Sequence, residues 1–136
     1  MRSNFESSLN NLGGDKMTLS ERQQIFARNV AKLILYMAEN NYACTFGEAY
    51  RPPEQAALNA KKGIGIKNSL HCKRLAVDLN LFLDGVYLTG GDHYKQFGSH
   101  WVSLHPANRY GGDWDKDGVH GEPRENDFNH FEMQEA

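Results

Sequence analysis

Two cysteines, Cys44 and Cys72, are all that the 136 residues contain, too few for a disulfide framework. No apolar run approaches the roughly 20 residues that a membrane-spanning helix needs. Residues 1–18 are polar and carry no apolar segment of the secretory-signal kind. Neither charge is in excess: 15 Lys and Arg stand against 17 Asp and Glu, a formal net charge of −2, and nothing argues for a nucleic-acid partner. What is present is ordinary for a globule, 40% hydrophobic and 24% charged, and long enough for one domain with a real core. The expectation is a monomer made in a reducing, cytoplasmic compartment, with no membrane and no signal peptide.

Two short stretches carry the chemistry. One runs from Ser69 to Asn80 and holds His71 and Asp78; the other is Asp127-Phe128-Asn129-His130-Phe131-Glu132-Met133, near the C-terminus. Together they offer two imidazoles and two carboxylates. A catalytic divalent ion takes three N/O protein ligands and leaves one position for water. It brings the pKa of that water towards neutrality, and a carboxylate in reach can take the proton. His71, Asp78 and His130 are assigned as ligands and Asp127 as the base. Val77, Leu79, Leu81 and Leu83 alternate with Ala76, Asp78, Asn80 and Phe82, a strand period that puts Asp78 opposite an aliphatic row. If Phe128–Met133 is extended, His130 shares a face with Glu132, and Phe131 and Met133 point to the other. Asp127 has the wrong parity for that strand and should lie on a bend just before it. Glu132 is the competing candidate for base. Cys72 follows a proposed ligand directly, but on an extended stretch its side chain points away from that of His71.

The rest of the chain reads as scaffold. Residues 1–17 form a leader expected to be flexible, and 18–136 a single domain. Thr18-Leu19-Ser20-Glu21 has the form of a capping box, opening an amphipathic helix to Asn40 with Phe26, Val30, Leu33, Ile34 and Met37 on one face. Tyr42–Ala49 reads as a strand with Gly47 as its weak point. A helix starts near Pro52-Pro53 and runs to about Lys62, and residues 63–68 form a loop. Asp84-Gly85 predicts a hairpin with Val86-Tyr87-Leu88 as its return strand. Asp92 is the expected N-cap of a helix over 93–104 that buries Phe97, Trp101 and Leu104. The fold class is therefore α+β, a small antiparallel sheet with helices packed outside it. His93, His100 and His105 belong to that helical region and to no ligand string.

Asp113-Trp114-Asp115-Lys116-Asp117-Gly118 opens like a calcium loop, with carboxylates at alternate positions before a sharply turning glycine. Its twelfth position is Arg124 rather than Glu, so Glu122 or Glu125 would have to substitute. The bland alternative is a solvated acidic turn. His120 falls within it and is the reserve metal ligand should His130 fail.

Ser-x-His, six intervening residues and then Asp, followed much later by Asp-x-x-His-Phe-Glu, resembles the M15 family of zinc peptidases. Tyr50-Arg51-Pro52-Pro53-Glu54-Gln55 and Tyr110-Gly111-Gly112-Asp113-Trp114 extend the resemblance over about residues 40–133. It implies zinc as the ion and the DD-peptidase/hedgehog-type fold. It implies that Arg51 faces the metal and steadies the oxyanion, that Ser69 lies near the ligand or the substrate, and that Trp114 lines the groove. The family places its base three residues before the histidine, which favours Asp127 over Glu132. The implied substrate is the stem peptide of peptidoglycan. A short chain without a signal or wall-binding module looks like a phage endolysin cutting L-Ala-D-Glu, made in the host cytoplasm and acting on the wall after release. A D-Ala-D-Ala carboxypeptidase or dipeptidase is the alternative. A zinc-containing virion or binding module without activity is the third reading, and it would be expected to have lost the base, Arg51 or a ligand.

Overall fold

The computed structural model describes residues 17–63 and 69–135. The expected leader therefore lies almost wholly outside the described residues, as does most of the 63–68 loop. Among the described residues no helix is long and apolar enough to cross a membrane.

The first helix, α1 (Leu19–Glu39), starts where the capping box puts it. The Thr18 hydroxyl accepts from the Glu21 amide at 3.1 Å, and the Glu21 carboxylate accepts from the Thr18 amide at 3.0 Å, satisfying two donors that the first turn cannot. Phe26, Val30, Leu33 and Met37 are its buried stripe. Asn40 caps its end, and Asn41 turns the chain at φ 68°.

Five antiparallel strands follow: β1 (Ala43–Phe46), β2 (Ala76–Leu83), β3 (Val86–Leu88), β4 (Asn108–Tyr110) and β5 (His130–Met133). The order is β1-β2-β5-β4, with β3 also paired to β2. Eight-residue β2 is the hub. Its second half lies between β1 and β3, and its first half pairs with β5, Asp78 standing opposite His130. The hairpin turn carries Asp84 at φ 50° and Gly85 at φ 78°, the two positive φ values that the tight turn needs. Val77, Leu79 and Leu81 are buried as their alternation requires.

Helix α2 (Pro53–Lys61) begins at the expected prolines. Helix α3 (Gly91–Leu104) covers the sheet, burying Tyr94, Phe97 and Trp101. The Trp101 ring meets Phe26 of α1 edge-on at 5.5 Å. Its indole Nε1 donates to the carbonyls of Arg109 and Glu132 at 3.0 and 2.9 Å, so one side chain ties α3 to both β4 and β5. A Cβ at Gly98 would overlap the Tyr110 ring, 2.7 Å from Cγ; glycine lets the helix lie directly on that ring.

Three local expectations are corrected. The strand at 42–49 is regular only over Ala43–Phe46. Gly47 interrupts it, although the Gly47 amide still donates to the Asp78 carbonyl and the Asp78 amide to the Glu48 carbonyl, both at 2.8 Å. Gly90, not Asp92, is the N-cap of α3, and Asp92 sits in its first turn. The stretch holding His71 and Cys72 is not extended: Leu70–Lys73 is a turn of 3-10 helix, capped by the Ser69 hydroxyl and closed by Arg74 at φ 56°.

Candidate active site

Three elements bring the proposed ligands together. His71 comes from the 3-10 turn, where the Ser69 Oγ accepts from the His71 amide at 3.2 Å. Asp78 lies on β2, on the face away from the aliphatic row. His130 opens β5, directly across from it. His71 Nε2 lies 3.5 Å and His130 Nδ1 3.2 Å from Asp78 Oδ1. The rings stand at 73° with centroids 5.0 Å apart. One donor atom from each residue falls within 4.8 Å of the others, so the three could hold a metal ion. Two imidazole nitrogens and a carboxylate oxygen form a donor set that suits zinc and leaves a position open.

The electrostatics favour a cation at this point. Burial alone would raise Asp78, but the hydrogen bonds with His130 and His71 outweigh it and hold the carboxyl at about 2. Burial alone would lower His130, yet Asp78 and Glu132 push it up to about 9. The negative field that holds a proton on His130 equally attracts a metal ion, which would take the proton's place.

The nitrogen of His130 facing away from Asp78 has its own partner. Nε2 lies 2.8 Å from Glu132 Oε1, and Arg109 Nε and Nη2 donate to Glu132 Oε2 at 2.9 and 2.5 Å. Glu132 is buried and its pKa is lowered, the bonds to His130 and Arg109 outweighing burial. A carboxylate accepting from the outer imidazole nitrogen fixes the tautomer and aims the inner one. Glu132 therefore orients His130, and its carboxylate is already engaged. His71 is supported more loosely: its Nδ1 lies 3.7 Å from Glu48 Oε1. The same Glu48 oxygen accepts from Arg51 Nη2, and the Arg51 amide donates to the His71 carbonyl at 3.2 Å.

Asp127 lies on a bend before β5, as strand parity requires. The His130 amide donates to its carbonyl at 3.1 Å, and its own amide donates to the Gly111 carbonyl at 3.2 Å. Its Oδ2 stands 3.9 Å from His130 Nδ1, and its side chain is about half exposed. Burial raises its pKa, with His130 acting against that rise and Asp78 adding to it. A Cβ on Gly111 would lie 2.8 Å from Asp127 Cβ and 3.1 Å from its carbonyl carbon, so glycine at 111 is what admits the Asp127 backbone.

A cleft of about 490 Å3 opens over this group, lined also by Arg51, Ser69, Trp114 and Arg109. The Trp114 ring is 5.4 Å from that of His130. The remaining histidines stand apart. His93 Nδ1 is 3.0 Å from the Tyr42 hydroxyl, His100 stacks on Tyr36 at 3.8 Å, and His105 accepts from the Ala107 amide. The reserve ligand His120 packs against Tyr110 and lies 3.7 Å from Asp113 Oδ2; it does not join the triad, and neither does Cys72. Asp113, Asp115 and Asp117 form a second cluster with Glu125.

Sequence reasoning missed Glu48 and Arg109. Arg109 is paired with Glu132 only through the β4–β5 register, and Glu48 reaches Asp78 only across the Gly47 break. Strand parity did place Glu132 on the face of His130, the one signal available for its orienting contact.

No family model matches the sequence, and no curated protein is detectably similar to it. Among the solved structures that share the fold are two peptidases. The L-Ala D-Glu endopeptidase ChiX of Serratia marcescens aligns over 98% of this chain and 89% of its own, with a TM-score of 0.62 and 17% identity. A mutant of the vancomycin-resistance D,D-pentapeptidase VanY from a VanB-type cassette, in complex with Zn(II), aligns over 79% of this chain and 70% of its own, with a TM-score of 0.51 and 18% identity.

Proposed function

We propose that the chain is a zinc peptidase that hydrolyses a peptide bond in the stem peptides of peptidoglycan. The observation that carries this reading is the convergence of His71 Nε2, Asp78 Oδ1 and His130 Nδ1 beside the half-exposed Asp127 carboxylate, at the floor of an open cleft. The two structures of like fold support the substrate class, since one is an endopeptidase for L-Ala-D-Glu and the other a D,D-pentapeptidase with Zn(II).

Zinc held by the triad would supply Lewis acidity, polarising the scissile carbonyl and acidifying the attacking water. The protein's residues do the rest. Asp127 takes the proton from that water on its carboxylate and returns it to the departing amine. Arg51, on the cleft wall and steadied by Glu48, meets the charge that develops on the carbonyl oxygen. Glu132 keeps a proton on His130 Nε2 and so leaves Nδ1 free as a donor to metal. Ser69 caps the turn that presents His71. Trp114 offers a flat apolar wall beside His130 for the substrate chain.

Within that class we read the chain as a phage endolysin cutting L-Ala-D-Glu; the longer alignment with the endopeptidase favours that bond and says nothing of a phage origin. The likeness to VanY favours a D-Ala-D-Ala carboxypeptidase or dipeptidase instead. Digestion of purified peptidoglycan by the zinc-loaded protein, with mass analysis of the fragments, separates these. New L-Ala carboxyl and D-Glu amino termini are expected. Release of D-Ala or its dipeptide would move the assignment to the second reading, and undigested wall would end both.

A further inference from the structure

We propose that Asp113, Asp115, Asp117 and Glu125 form a calcium site that clamps the loop carrying Trp114 and Asp127. Each residue offers a carboxylate oxygen, and the four oxygens lie within 4.8 Å of one another. Asp115 and Asp117 are exposed, but Asp113 and Glu125 are only 5% and 6% accessible. A solvated acidic turn does not bury two of its carboxylates.

The decisive detail is what those two carboxylates leave unused. Asp113 Oδ2 accepts from the Gly118 amide at 3.0 Å and Glu125 Oε2 from the Asp115 amide at 3.2 Å. The other oxygen of each, Asp113 Oδ1 and Glu125 Oε1, is shut off from solvent and has no hydrogen-bond partner. A buried carboxylate oxygen without a partner is expensive, and a hard cation among these oxygens would supply the missing partner for both. Lys116, the nearest cation along the loop, points elsewhere: its Nζ donates to the Pro106 carbonyl at 2.9 Å.

The loop shape explains the substitution that the sequence leaves open. Asp113, Asp115 and Asp117 occupy alternate positions, and Gly118 turns the chain at φ 83°. Arg124, at the position where a carboxylate is expected, takes φ 69° instead. The Glu125 amide closes a turn on the Glu122 carbonyl at 2.8 Å. The extra residue is absorbed in that turn, and Glu125 comes back to the cluster. All-oxygen donors of flexible spacing fit calcium; magnesium demands a tighter octahedron and keeps its waters.

A clamp here reaches the cleft from both ends of the loop. Trp114 lies between two of the donors and packs beside His130. Glu125 is two residues before Asp127. Gly111, two residues before Asp113, is bonded to both Asp127 and His130 through its backbone. Calcium is therefore expected to fix the Asp127 carboxylate and the Trp114 wall without touching the zinc ligands. This coupling rests on the peptidase reading; the binding does not.

The test uses the full chain, zinc-loaded and stripped of calcium, titrated with calcium chloride. The melting temperature should rise by about 10 °C at a hundredfold excess over Kd, far less with magnesium chloride. The Asp115→Asn/Asp117→Asn double variant, altered only at exposed positions, should lose that rise and keep its zinc. No shift in the wild type up to about 10 mM calcium, beyond the weakest calcium modules, would overturn the site, as would an undiminished shift in the variant. In the same samples calcium should accelerate wall hydrolysis by the wild type and not by the variant. Binding with an unchanged rate would overturn the coupling. Binding with no hydrolysis under any condition would sink the peptidase reading and leave the calcium site standing.

Discussion

Gly111→Ala tests whether the position of the Asp127 backbone controls the reaction. The added methyl would stand 2.8 Å from Asp127 Cβ, where carbon atoms prefer about 3.5–4.0 Å. Relief requires the two segments to part by about 1 Å, and a shift of that size at a catalytic group costs roughly a hundredfold in rate. His71 and Asp78 should feel it less, since they belong to other elements. His130 is tied by its backbone to Gly111 and to the Asp127 carbonyl, which the methyl also overlaps, but its ring is held separately by Asp78 and Glu132. The variant is expected to bind one zinc, to melt lower because overpacking costs about 1–3 kcal/mol, and to lose about two orders of magnitude in kcat. The assay is the initial rate of amine release from peptidoglycan, with zinc content measured on the same sample. A folded, zinc-loaded variant working near the wild-type rate would refute the reasoning. Asp127→Glu, which pushes the carboxylate out by one methylene and leaves Gly111 alone, displaces the same group independently should the first variant not fold.

Asp127→Ala should keep zinc and lose hydrolysis, because it removes the base and no ligand; metal analysis showing zinc lost would mean the roles are misassigned. Glu132→Gln removes the charge that orients His130 and satisfies Arg109, and zinc affinity should drop about 10- to 100-fold in a chelator competition; an unchanged affinity would leave Glu132 no orienting role. Burial, then Arg22 and Lys116, lowers His105 below its usual value, so the folded state favours its neutral form. That contribution is complete above pH about 6.5 and is lost as pH falls through the lower folded value. His105→Gln should flatten the acid-side fall in melting temperature, and an identical slope would count against it.

Much of the fold was legible because the relevant signals are local. The Thr18–Glu21 box, the Asp84-Gly85 turn and the alternation along β2 each depend on residues within a few positions of one another. The errors fell where another local feature competed. Ser69 caps a 3-10 turn through its hydroxyl, which turned an expected extended stretch into a helix, and Gly90 took the cap that Asp92 was expected to fill. In the site, strand parity sufficed to put His130 and Glu132 on one face and Asp127 on a bend. Arg109 and Glu48 could not be found that way, because their partners are set by cross-strand register and by pairing past Gly47. Glu125 joins the Asp113, Asp115 and Asp117 oxygens after a turn in which Arg124 takes φ 69°, a left-handed conformation that a single sequence does not announce.

The most direct test of the central claim is X-ray absorption at the zinc edge of the loaded protein. Two imidazole nitrogens and light oxygen donors at about 2.0–2.2 Å, with one zinc per chain, are the expected result. A sulfur shell near about 2.3 Å, as Cys72 would give, or a protein that takes up no zinc, would contradict the account.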